Sequence, residues 1–218
     1  MLAGHYPGVG DPLMWMSGVE GVLLAAVDTP GFFQAYVDTV ARWSRLLLEI
    51  LIDAGVDVVV RRGWYESTDF WSPSLYLRYL AGPLKEEVRI AHQAGVKLSY
   101  VMNSGALPLL PIFQDLRFDM LSNIDPLASG MDLRRIKQEI GGAICLCGGL
   151  NNTRVLEQGS EAAVVRAVQE ALEALAPGSG FILSPGDSVG FVQGLDEGIV
   201  RRNVRTTVSA WKRVCGDG

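Results

Sequence analysis

Five short runs rich in β-branched and other apolar residues recur along the chain, each ending in glycine, proline or a polar residue. They are Val56–Arg61, Lys97–Met102, Met120–Asp125, Ala143–Cys147 and Gly180–Ser184, with a weaker sixth near Leu2–Tyr6. The runs are continuously apolar rather than alternating, which suits strands covered on both faces, as in a parallel sheet. Helical patterns fill the intervals. Thr29-Pro30 reads as an N-cap followed by proline at the first helical position. Phe33, Tyr36, Val37, Val40, Trp43, Leu47, Ile50 and Leu51 then repeat at helical spacing as far as Gly55, and the aromatics of that run are expected in the core. Ser72-Pro73 opens a second helix, which Gly82-Pro83 is expected to break. Ser160 caps a third that stops at Pro177-Gly178, and a last one runs from about Glu197 to Arg213.

Strand–helix alternation predicts an α/β domain with parallel strands, either a doubly wound open sheet or a (β/α)8 barrel of the TIM type. Two features favour the barrel. No glycine-rich phosphate fingerprint follows the first strand. Polar residues and glycines gather after every strand rather than at one switch point, and a barrel concentrates function on those loops. Length qualifies the expectation. A full barrel takes about 250 residues; this chain has 218, with five firm strands and one weak one. The expected form is a single domain over residues 1–218, incomplete at the N-terminus by roughly two β/α units.

Composition narrows the class. The chain is 49% hydrophobic and 20% charged, which argues against disorder. Three cysteines form no disulfide framework. A net charge of −5 argues against general affinity for nucleic acid. No apolar run approaches membrane-spanning length. The first residues lack the charged and apolar regions of a signal peptide, so a cytoplasmic protein is expected.

Parallel strands put their C-terminal ends on one rim. That rim would collect Arg61, Arg62, Glu66, Ser67 and Asp69; Asn103 and Ser104; Asn123 and Asp125; Cys147; and Ser184, Asp187 and Ser188. The set offers cations for an acidic ligand and carboxylates for proton transfer. Plainer readings stand beside these. Arg61-Arg62 also suits a salt bridge to Glu66. Asp125 before Pro126 suits a turn, and Asp187 a cap. Cys145 and Cys147 share a strand face, where buried thiols are favoured over a metal site. Trp15 suits either a pocket wall or the core.

Four ordered stretches then resemble the uroporphyrinogen decarboxylase family. They are Gly63-Trp-Tyr-Glu-Ser-Thr-Asp-Phe-Trp-Ser-Pro, Asn123-Ile-Asp-Pro-Leu-Ala-Ser-Gly-Met-Asp-Leu, Gly148-Gly-Leu-Asn-Asn-Thr-Arg-Val-Leu-Glu and Gly180-Phe-Ile-Leu-Ser-Pro-Gly-Asp-Ser-Val. The resemblance covers nearly the whole chain and corresponds to the later part of the family's barrel. It implies a (β/α)8 fold and one of two chemistries. One is cofactor-free decarboxylation of the acetate side chains of uroporphyrinogen. The other is zinc-dependent methyl transfer from corrinoid proteins to a thiol.

The zinc enzymes carry His-x-Cys-Gly after a middle strand and a cysteine in the final turn. Here those positions read Met102-Asn103-Ser104-Gly105 and Asp187, which argues against zinc. Against the decarboxylase, Ser67 falls at a substrate-contacting serine, Trp15 where a tyrosine stands, and Asp187 where a histidine stands. The family's early arginine-rich motif and its pyrrole-facing aspartate have no counterpart here.

The leading expectation is a carboxy-lyase without cofactor or metal, acting on an acidic tetrapyrrole or a smaller anion. Asp187 and Glu66 are its candidate catalytic carboxylates. Ser67, Arg61, Arg62, Trp15, Asn103, Ser104 and Asp125 are its candidate substrate contacts. The alternatives are a corrinoid-linked or one-carbon methyltransferase of the same family, and a non-catalytic homologue acting as a partner subunit or self-associating through open strand edges.

Overall fold

The computed structural model describes residues 1–190, 194 and 196–216. Six strands form one parallel sheet: β1 (Ala3–Pro7), β2 (Val58–Arg62), β3 (Lys97–Val101), β4 (Met120–Ile124), β5 (Cys145–Leu150) and β6 (Phe181–Pro185). Their spatial order is their chain order, with no reversal. The sheet is therefore singly wound, as in a (β/α)8 barrel, and among the described residues it is not closed: β1 and β6 are its edges. The weak first run is a true strand, paired with β2 from Ala3↔Val58 to Pro7↔Arg62.

Nine α-helices connect and cover the strands: α1 (Gly10–Ser17), α2 (Val19–Asp28), α3 (Pro30–Asp53), α4 (Pro73–Tyr79), α5 (Ala81–Gln93), α6 (Leu110–Leu116), α7 (Leu133–Ile140), α8 (Glu161–Leu175) and α9 (Glu197–Cys215), counting described residues only. The helix starts at Ser72 and Ser160 are capped as their side chains predict, with hydroxyls accepting from Leu75 and Ala163 N–H. Thr29 caps nothing. Helix α2 runs directly into it, and its hydroxyl donates back to Ala25 O at 3.2 Å. The break expected at Gly82-Pro83 falls earlier, at Leu80, because Pro83 fits the first turn of α5, where its missing N–H costs no bond.

The two sheet faces differ. Gly4, Tyr6, Val59, Arg61, Leu98, Tyr100, Leu121 and Leu146 are buried against the helices. The intervening residues face the barrel interior, and there the expectation of cover on both faces fails. His5 is exposed, Val58, Val60 and Arg62 are half-buried, and Ile182 on the β6 edge is 49% exposed. Cys145 and Cys147 are likewise half-buried rather than enclosed. Small hydroxyls and a thiol line the middle of this face. Ser99 Oγ lies 2.5 Å from Ser122 Oγ, and Cys147 Sγ donates to Ser184 Oγ at 3.5 Å. Trp43, expected in the core, is 46% exposed, whereas Phe33 is fully buried. Among the described residues, no helix is long and apolar enough to cross a membrane.

Candidate functional site

At the corner between β1 and β2 the chain turns through Gly8-Val9 into α1, and β2 ends at Arg62-Gly63. Side chains alternate along a strand, so Arg61 and Arg62 leave β2 on opposite faces. Arg61 enters the helix layer and is completely buried. Its Nη1 donates to Glu66 Oε2 at 2.6 Å, and its Nε to Glu87 Oε2. Glu66 also accepts from the N–H groups of Val9 (3.0 Å) and Gly10 (2.7 Å) and from the Tyr100 hydroxyl (2.6 Å). Glu87 accepts from Ser44 at 2.8 Å and Tyr6 at 3.4 Å. A carboxylate on the first N–H groups of α1 matches the helix dipole. The close approach needs Gly8 and Gly10, since a Cβ there would overlap the Arg61 guanidinium or the Glu66 side chain.

Arg62 turns to the interior face. Its guanidinium carbon lies 5.2 Å from the ring centre of Trp15 and 5.4 Å from that of Trp64, within cation–π range. Trp15 is 52% exposed and so is not core, and it also lines an apolar recess between α1 and α3 with Met16, Tyr36 and Trp43. Asp11, in the first turn of α1, is completely buried. Its Oδ1 accepts from Tyr65 N–H at 3.1 Å and its Oδ2 has no partner. Burial, and then the Glu66 charge, push the Asp11 carboxyl up to about 6, against the pull of the Tyr65 N–H and of Arg61 and Arg62. Arg61 Nη2, Arg62 Nε and Trp64 Nε1 are also buried without partners. Buried polar atoms are ordinarily paired. The unpaired groups bracket the corner from both faces, Arg61 Nη2 in the helix layer and Arg62 Nε toward the interior, with the unpaired Asp11 oxygen buried at the start of α1.

Around the rest of the rim the groups are more fully used. The Ser67 hydroxyl accepts from Asp69 N–H at 3.3 Å and from Ser104 Oγ at 3.4 Å, beside half-buried Asn103. Asn123 adopts left-handed backbone (φ 65°) where the β4–β5 register shifts. Asp125 accepts from Leu127 N–H at 2.9 Å and from Asn151 Nδ2 at 2.7 Å, and so acts as a turn residue. Asp187 is half-buried and accepts from Ser188 N–H at 2.7 Å. The site residues read from sequence thus fall into separate groups: Arg62 with Trp15, Ser67 with Ser104, Asp125 and Asp187 on their own turns, and Arg61 with Glu66 inside the helix layer. Asp11 and Trp64 escaped the sequence reading. The signals were a glycine-flanked carboxylate directly after a strand, in Gly8-Val9-Gly10-Asp11, and an indole two residues beyond Arg62.

A model of the uroporphyrinogen decarboxylase (URO-D) family matches residues 13–202. The chain belongs to the URO-D family. No curated protein matches it. Among solved structures, a methyltransferase from Methanosarcina mazei superposes with a TM-score of 0.79 at 19% identity, covering 98% of this chain and 59% of its own. The chain therefore spans less than two thirds of that protein. The IOLI protein, solved with a zinc atom, gives 0.55 at 16% identity over 97% of this chain and 76% of its own. D-psicose 3-epimerase gives 0.50 at 10% identity over 99% and 100%. Identities this low show a shared fold alone.

The zinc of the family's methyltransferases does not fit the residues present. Met102 is completely buried, Ser104 is a poor zinc ligand, and Asp187 lies on a separate turn. Among the described residues, no three His, Cys, Asp or Glu side chains group closely enough to hold a metal ion.

Proposed function

We propose that this URO-D family chain binds a small carboxylate-bearing substrate at the β1–β2 corner and serves decarboxylation rather than zinc-dependent methyl transfer. The observation that carries the reading is Arg62, held between Trp15 and Trp64 beside the buried, half-partnered carboxyl of Asp11. Arg62 supplies a cation whose aromatic flanks limit its hydration, and a guanidinium matches a carboxylate with two parallel hydrogen bonds. Half-buried Asn103 and Ser104, on the next loop of the rim, add amide and hydroxyl contacts, and completely buried Ser67 stands behind Ser104 as its acceptor.

Decarboxylation breaks the carbon–carboxylate bond. Carbon dioxide leaves, the electron pair stays on the substrate, and the carbon that held the carboxylate takes a proton. Asp11 is suited to deliver that proton. With its carboxyl at about 6, roughly one molecule in ten carries the proton at pH 7. Glu66 acts through position: both its oxygens are occupied, and it fixes the turn that carries Asp11. Asp187, on the turn after β6, is the second candidate carboxylate. Substrates of the acidic tetrapyrrole type, or smaller anions, are consistent with this chemistry.

The test is anaerobic incubation of the purified protein with uroporphyrinogen, following carbon dioxide release and partly decarboxylated products. Activity lost in Arg62→Ala and in Asp11→Asn supports the reading. Substrate returned fully carboxylated, with no binding that depends on Arg62, overturns it.

A further inference from the structure

A second cationic feature lies outside the barrel mouth, in a groove of about 620 Å³ between α8 and α9. It is lined by Arg201, Arg202, Arg205 and Arg213, with the hydroxyls of Thr206 and Ser209 between them. The chain as a whole carries −5, yet residues 198–215 hold five cations and no acid. Arg201 and Arg205 stand one helical turn apart, a spacing at which like charges destabilise a helix. Among the described residues, the acids paired with these arginines sit at the N-terminal ends of α8 and α9. Glu197 meets Arg201 at 3.3 Å and Glu161 meets Arg202 at 3.6 Å. The side chains of Arg205 and Arg213 have neither a hydrogen bond nor an ion pair among the described residues. The platform is fixed, because Asn203 Nδ2 donates to the carbonyls of Val155 (3.3 Å), Leu156 (3.1 Å) and Gly159 (2.8 Å), and Ala210 is buried.

We propose that this groove binds a linear oligophosphate, free or as the phosphate arm of a nucleotide. From Arg201 to Arg213 the helix rises about 18 Å, enough for several successive phosphates. Guanidinium forks and hydroxyl donors match phosphate oxygens. Among the described residues no aromatic side chain lines the groove, so they offer no base-stacking platform of the kind a single-stranded nucleic acid uses. The groove also stands apart from the open sheet edge. Exposed Val208 and Trp211 of α9 face β6 instead, where they line a recess with Ile182 and Leu183.

Titration calorimetry on the whole chain with tripolyphosphate, ATP and hexaglutamate tests the proposal, at low salt and at 150 mM KCl. The variant is Arg205→Glu with Arg213→Glu. Both changes are on the surface, and circular dichroism verifies the fold. The expected result is tripolyphosphate binding that survives 150 mM salt and falls at least tenfold in the double variant, while URO-D-type activity at the barrel mouth is unchanged. Equal binding of tripolyphosphate and ATP assigns the site to the phosphate chain itself, and tighter ATP binding assigns it to a nucleotide. Absence of binding, binding unchanged by the double variant, or hexaglutamate binding as tightly as tripolyphosphate overturns the proposal.

Discussion

Replacing Asp11 by asparagine removes the charge that the β1–β2 corner holds under greatest constraint. The carboxyl sits at about 6 against an ordinary 3.8, chiefly because it is buried and secondly because Glu66 is near. At 1.36 kcal/mol for each tenfold change in proton affinity, that rise corresponds to about 3 kcal/mol. The native state binds this proton more tightly than the unfolded chain does. The carboxyl therefore costs nothing below about pH 4, and its penalty grows as the pH rises through about 6. Asparagine keeps the shape and the acceptor for Tyr65 N–H but never ionises. The variant is expected to lose less stability than the wild type between pH 4 and pH 7. At pH 7 it is expected to be the more stable, by up to about 3 kcal/mol less the cost of a buried amide N–H. Urea unfolding at pH 4, 5, 6 and 7 measures the difference directly. Parallel pH profiles for the two proteins would refute the account of Asp11 as a buried carboxyl with a raised proton affinity. Activity separates the two roles: the stabilised variant is expected to bind substrate and to fail at proton delivery.

Three further outcomes are expected. Arg61→Met leaves Glu66 and Glu87 buried without their cation and is expected to cost about 3–5 kcal/mol, whereas Arg61→Met with Glu87→Leu recovers part of that loss in a double-mutant cycle. Asn203→Ala removes the amide donor shared by the Leu156, Gly159 and Val155 carbonyls, of which Val155 keeps the Gly159 N–H, and is expected to lower stability by about 2–3 kcal/mol, read as a shift of the urea midpoint at unchanged slope. Gly148→Ala places a Cβ against the backbone of Ile124, in a backbone conformation (φ 143°) that L side chains rarely adopt. That variant is expected to lose native near-ultraviolet dichroism, and a stable, well-folded Gly148→Ala protein would contradict the tight β4–β5 packing.

The strands were legible because their helix-facing residues, such as Tyr6, Val59, Leu98, Leu121 and Leu146, keep each run largely apolar, and β1 read as the weakest because it carries exposed His5. The short helices α1, α2, α6 and α7 were not, because two or three turns give too few periods for a helical repeat to stand out. The family was legible from four ordered stretches, none of which depends on knowing which way a side chain points. The site was only half legible for that reason. Arg61 and Arg62 are neighbours of one chemical type, and strand alternation alone sends one to the helix layer and the other to the mouth. Asp11 was missed because nothing in the letters Gly-Asp-Pro tells a buried carboxyl from a turn. That distinction is made by Tyr65, Arg61 and Glu66, fifty or more residues away.

The charge network behind the corner also bears on how the molecule opens. Tyr6, Ser44, Arg61, Glu66, Glu87 and Tyr100 come from β1, α3, β2 and its following loop, α5 and β3, and withdrawing any one of these segments strands a buried ion or hydroxyl. Those elements have no inexpensive partly open state, so their amides should exchange with deuterium as one block and at one free energy. The α8–α9 pair rests on a separate, smaller apolar cluster around Leu150, Val164, Val168 and Ala210. Its amides should exchange earlier, which would leave the charged corner standing while the last β/α unit is already loose.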